Sequence, residues 1–129
     1  HHPDLVLINA SLNWSQECGD TAKYEEVLLD VVKTIKKELD TEIILMTPNI
    51  EIPGMFQNPL STLDERVEVI RKIAAEEDVC LADTYRVWKA YEAQGFPTDV
   101  LLANGMNHPA VAGHEVYAIV LMKLLRKQG

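Results

Sequence analysis

Short apolar runs of about six residues alternate along the chain with longer stretches of helical spacing. "DLVLINA" (4–10), "EIILMT" (42–47) and "VCLADT" (79–84) are aliphatic and nearly free of charge. Each predicts a strand buried on both faces. In 21–39 the apolar positions are Tyr24, Val27, Leu28, Val31, Val32, Ile35 and Leu39, while Lys33, Lys36, Lys37 and Glu38 face water. That spacing predicts a helix. Residues 61–78 open on a capping-box pattern, either Ser61 with Asp64 or Thr62 with Glu65, and continue as an amphipathic helix. A helix over 85–95 is closed by Gly95, and 97–103 reads as one helical turn. Pro109 suits the first turn of a last helix, 109–127. The polar stretch 11–20 and the proline-rich 48–59 read as loops.

The order β-α-β-α-β-α-α predicts a parallel sheet with right-handed crossovers and helices on both faces. In such sheets ligands bind beyond the carboxyl ends of the strands. "ASLNW" (10–14) leaves the first strand, and "NGMNHP" (104–109) follows the third strand and its helix. Two segments distant in sequence thus converge on the edge where sites form.

Composition narrows the classes. The length of 129 residues predicts one domain, 1–129. A net charge of −8 argues against a surface that tracks nucleic-acid phosphates. No apolar run approaches the roughly 18 residues of a membrane span. The chain starts without Met and enters an apolar run at once, as a fragment would; His1 and His2 read equally as tag remnants or native residues, and the compartment stays open.

Cys18 and Cys80 are too few for a disulfide scaffold. They fall at opposite ends of strands about 20 Å long, so no bond between them is expected. Cys80, inside an apolar run, reads as a buried thiol. Trp88 and Tyr91 read as packing residues. The four histidines form no HxH or HExxH pattern, and no glycine-rich phosphate loop is present.

"PDLVLINASLNW", followed much later by "LLANGMNHPAVAGHEVYA", resembles the SGNH hydrolases, the GDSL esterase/lipase family. The resemblance implies a flavodoxin-like α/β/α sandwich, of which this chain is the C-terminal part. It matches Ser11-Leu12-Asn13-Trp14 to the Gly-x-Asn-Asp signature and "HPAVAGH" to the family's last signature. By that match Asn13 is the side-chain donor of an oxyanion hole. His108 is the general base for a serine nucleophile. His114 reads as structural. The resemblance implies a small acyl ester substrate, such as an acetyl group on a carbohydrate, and no metal or organic cofactor.

The departures are specific. The segment carrying the nucleophile is absent, and Ser11, Ser15 and Ser61 do not match it. The orienting carboxylate belongs three residues before His108, where the chain has Gly105; Asn104 is no acid either. Ser11 replaces a glycine, and Trp14 replaces an aspartate that braces the loop.

Three readings stay open: an ester hydrolase completed by an upstream serine, a non-catalytic carbohydrate- or protein-binding module on the same fold, and, ranked last, an unrelated flavodoxin-like module such as a receiver. The first strand should expose one edge, to be covered by a missing N-terminal segment or a second copy of the chain.

Overall fold

The computed structural model describes residues 2–54 and 58–126. Three short strands, β1 (Leu5–Ile8), β2 (Glu42–Met46) and β3 (Cys80–Ala82), form a parallel sheet in the order β1-β2-β3. Leu7 pairs with Ile44 and Leu45 with Leu81. Four helices follow the alternation: α1 (Thr21–Glu38), α2 (Leu63–Glu76), α3 (Thr84–Ala93) and α4 (Val111–Leu125). A 3-10 turn at Thr98–Leu101 falls where one turn was expected.

Strand residues point alternately to the two faces. On one face Ile43 and Leu45 of β2 pack against Tyr24, Leu28 and Val32 of α1 and Val69, Ile70 and Ile73 of α2. On the other, Ile44, Met46 and Ala82 pack against Tyr117 of α4, with Val120, Leu121 and Leu124 alongside. The chain is therefore a three-layer α/β/α sandwich. A third cluster, including Leu63, Val67, Trp88, Leu101 and Val116, joins α2, α3 and α4 near the site.

The starts of α1, α2 and α3 are set by short polar side chains. Asp20 accepts from the Lys23 amide at 2.9 Å and Asp83 from the Arg86 amide at 3.3 Å. Thr62 and Glu65 form the capping box that starts α2. The other candidate cap, Ser61, has a different role: it is buried and accepts from Arg66.

Three further expectations are corrected. Of the strands expected to be buried on both faces only β2 is, from Ile43 to Met46; β1 and β3 are partly exposed. Pro109 lies outside α4, because residues 108–110 are held extended against 101–103. Cys80 is exposed rather than buried. It is the first residue of an outer strand, at the edge where the covering helix α4 ends near Leu125. Both thiols are free. Residues 55–57 of the expected loop and residue 127 of the expected last helix lie outside the described residues.

Among the described residues β1 pairs only with β2, so its other edge is open. Apolar side chains flank that edge: Leu7 of β1 is 47% exposed, and Val31 of α1 is 39% exposed.

Candidate active site

The chain leaving β1 turns at once. The Trp14 amide donates to the Ser11 carbonyl at 3.3 Å, closing a four-residue turn with Asn13 at its third position. Asn13 is exposed. The tryptophan that replaces the expected bracing aspartate is itself a brace. Its indole N–H donates to the Gly19 carbonyl at 2.9 Å, and its ring meets Tyr24 edge-on at 5.1 Å. The Asn58 amide donates to the same Gly19 carbonyl at 2.9 Å.

A second anchor was missed in the sequence. Arg66 is only 1% exposed, and its Nε donates to the Ser11 carbonyl at 3.2 Å. The signal was available: Arg66 falls on the buried stripe of α2, between Leu63 and Ile70. A charged residue at a core position needs polar partners there.

His108 sits on a hairpin. The Ala103 amide donates to the His108 carbonyl, and the Ala110 amide to the Leu101 carbonyl, both at 2.7 Å. The turn between is organised by one side chain. Asn104 Oδ1 accepts from the amides of Met106 (3.0 Å), Asn107 (3.0 Å) and His108 (2.9 Å). Asn104 is thus committed to its own turn. Gly105, three residues before His108, has φ +64°, which favours glycine; a Cβ there would meet nothing within 4 Å.

Two further contacts fix this hairpin from outside. Asn49 donates through Nδ2 to the Asn107 carbonyl at 2.8 Å, and Tyr117 Oη holds Asn49 by accepting from its amide (2.6 Å) and donating to Oδ1 (2.8 Å). Gly113 of α4 lies so close that a Cβ would stand 2.5 Å from the Leu101 carbonyl. The glycine of the "GH" pair is therefore a close-approach residue. His114 is exposed, and its ring lies 6.4 Å from that of Tyr117.

Asn13 and His108 line one cleft of about 590 Å³ at the carboxyl edge of the sheet. Its lining contains no Asp, Glu, Lys or Arg. The cleft continues along β1 and α1 over Ile8, Tyr24, Val27, Leu28 and Val31. Burial pushes the Tyr24 hydroxyl up to about 12, so it stays neutral and able to donate. Trp88 is buried as a packing residue, whereas Tyr91 is half-buried beside it.

Neither a protein-family model nor a curated protein sequence matches the chain. Solved structures do. A GDSL-like lipase from Parabacteroides merdae superposes with a TM-score of 0.77 at 22% identity, over 94% of this chain and 59% of its own. An acetyl-xylooligosaccharide esterase from Geobacillus stearothermophilus, Axe2, superposes with a TM-score of 0.74 at 31% identity, over 94% of this chain and 58% of its own. An alpha/beta hydrolase from the Lake Arreo metagenome, LAE5, gives 0.73 at 23% identity, over 94% of this chain and 59% of its own. Catalytic mutants of Axe2 replace a serine, an aspartate or a histidine by alanine, the aspartate lying three positions before the histidine. The 129 residues therefore span well under two thirds of the proteins they match. Over 94% of its length the chain thus shares the fold of these esterases and lipases, and at 31% identity it is similar in sequence to Axe2.

Proposed function

We propose that these 129 residues are one partial domain, carrying the base and the oxyanion-hole donor of a serine ester hydrolase that acts on a small acyl ester, most simply an acetyl group on a carbohydrate. The observation that carries the reading is the meeting of Asn13 and His108 in one cleft, from segments almost a hundred residues apart. The identity to Axe2, an acetyl-xylooligosaccharide esterase, supports the substrate class. In Axe2 the mutated serine and histidine are separated by more positions than the whole of this chain. If His108 corresponds to that histidine, the nucleophile comes from outside these residues. The same outside segment would cover the open edge of β1 and the exposed Leu7 and Val31.

In this reading the serine hydroxyl loses its proton to His108 as its oxygen attacks the acyl carbonyl. The Asn13 side-chain amide donates to the oxyanion that forms. Imidazolium then returns the proton to the departing sugar alkoxide, leaving an acyl-serine. Water, deprotonated by the same imidazole, releases the carboxylic acid. A donor such as Asn13 lowers the barrier by roughly 3–4 kcal/mol.

One observation favours the non-catalytic alternative. Residues 104–107 contain no carboxylate, and Asn104 is spent on three backbone amides. If the imidazole turns over, something other than an acid at that position orients it.

The test is the gene product containing this sequence, assayed with p-nitrophenyl acetate and with acetylated xylooligosaccharide. His108→Ala is expected to lower kcat about a thousandfold, and Asn13→Ala about a hundredfold. The isolated 129-residue chain is expected to leave a serine-reactive fluorophosphonate unreacted. Turnover that survives His108→Ala would remove the reading, and no turnover in the unaltered protein would favour the binding module.

A further inference from the structure

Arg66 is the most deeply buried charged side chain of α2 and stands directly behind the turn that carries Asn13. Among the described residues no carboxylate lies within ion-pair distance of it. Its guanidinium is spent on neutral oxygens: Nε on the Ser11 carbonyl at 3.2 Å, one terminal nitrogen on the Ser61 carbonyl at 2.8 Å and on the Ser61 hydroxyl at 2.9 Å. A hydrocarbon of similar volume would fill this space with a far smaller desolvation cost. Holding two backbone carbonyls from separate segments at fixed spacing is what a hydrocarbon cannot do and a planar fork can. One carbonyl is Ser11, the first residue of the Asn13 turn. The other is Ser61, just before the capping box of α2.

The Ser11 carbonyl also accepts from the Trp14 amide, which closes the turn. Arg66 thus binds the very atom on which the turn depends, and binds it from a helix that is itself packed into the core. Trp14 secures the far end of the turn through Gly19. Asn13, between these two anchors, has no other described tether.

We infer that Arg66 is a positioning residue for the oxyanion-hole loop: it fixes the Ser11–Trp14 turn so that the Asn13 amide is aimed before substrate arrives. The inference rests on the proposed role of Asn13 and adds a residue to it. Preorganisation of this kind raises the rate of the chemical step rather than substrate affinity. Arg66 touches neither the substrate nor the reacting atoms.

Two measurements separate this inference from the reading beneath it. In the gene product containing this sequence, amide hydrogen exchange at Trp14 is compared with that at Leu45 in β2. Arg66→Met is expected to speed exchange at Trp14 by about tenfold while Leu45 changes little, because a charged anchor is lost locally. Arg66→Lys keeps the charge, reaches one carbonyl, and should fall between; it carries the comparison if the methionine variant does not fold. Unchanged exchange at Trp14, or a rise matched at Leu45, overturns the anchoring. In the gene product, with active enzyme counted by fluorophosphonate titration, Arg66→Met should lower kcat with little change in KM. A loss confined to the titrated fraction would overturn positioning. If His108→Ala remains active while Trp14 exchange still responds to Arg66, the failure belongs to the catalytic reading and not to the anchor.

Discussion

The Asn49 side chain donates to the carbonyl of Asn107, the residue just before His108, at 2.8 Å. The hairpin that presents His108 is therefore tied to the segment leaving β2, and through Tyr117 to α4. Tyr117→Phe removes one hydroxyl and two hydrogen bonds, leaving a buried Asn49 amide without its acceptor. We expect a loss of about 1–3 kcal/mol. Urea unfolding should show a lower midpoint at unchanged slope.

Gly113→Ala tests close packing against helix propensity. Propensity alone favours alanine in a helix by up to about 1 kcal/mol. The added Cβ, however, would stand 2.5 Å from the Leu101 carbonyl and 2.9 Å from Pro109. Overpacking of this kind costs about 1–3 kcal/mol. The sign of the change in thermal midpoint decides between them, and a loss is expected.

Acid sensitivity should centre on Asp83. Burial pushes its carboxyl up, but hydrogen bonds from Arg71 and Thr47 outweigh this and hold it below the ordinary aspartate range. A group with a depressed folded pKa contributes stability above its unfolded pKa, and that contribution is lost as pH falls through the folded value. Urea midpoints should therefore decline below about pH 4. Asp83→Asn should flatten that decline while lowering stability at neutral pH.

Glu51 has the opposite sign. Burial raises its carboxyl pKa, opposed in part by Arg66, and Oε2 is buried without a hydrogen-bond partner. Its contribution is present below the unfolded pKa and fades as pH rises through the folded value. Glu51→Gln should raise the thermal midpoint at pH 7. It should leave the midpoint nearly unchanged below about pH 4, where both side chains are neutral. An unchanged midpoint at pH 7 would show that the carboxylate is well solvated.

The strand and helix alternation was legible because short apolar runs alternate with stretches of helical period, and each element fell near its expected place, but only β2 is buried as expected, β1 and β3 being partly exposed. So was the convergence of Asn13 and His108, since topology alone carries both to one sheet edge. Cys80 was misread because an apolar run does not reveal that its strand is an outer one with a short cover. Pro109 was placed in the helix because the 101–103 and 108–110 pairing is a contact between segments that have no strand pattern. Trp14 was read as the loss of a brace, yet its indole N–H reaches a carbonyl five residues on. Arg66 was legible in principle: a guanidinium on the inner stripe of an amphipathic helix demands partners, though the sequence does not name them.

The turn around Asn104 also bears on how the molecule ages. Asn-Gly is the dipeptide most prone to lose ammonia, because the glycine nitrogen can close on the asparagine side chain to a succinimide, which water then opens to aspartate or isoaspartate. Asn104-Gly105 is such a pair, and it is exposed. The fold opposes ring closure in two ways: three amides on Oδ1 hold the Asn104 side chain in one orientation, and the Gly105 N–H is engaged by the Leu102 carbonyl at 3.1 Å. Chemical lifetime at this position is therefore coupled to the folded hairpin. Any substitution that loosens the His108 turn should shorten that lifetime, as read by the roughly 1 Da mass gain of the peptide spanning it, because amides freed by local opening are the ones that react.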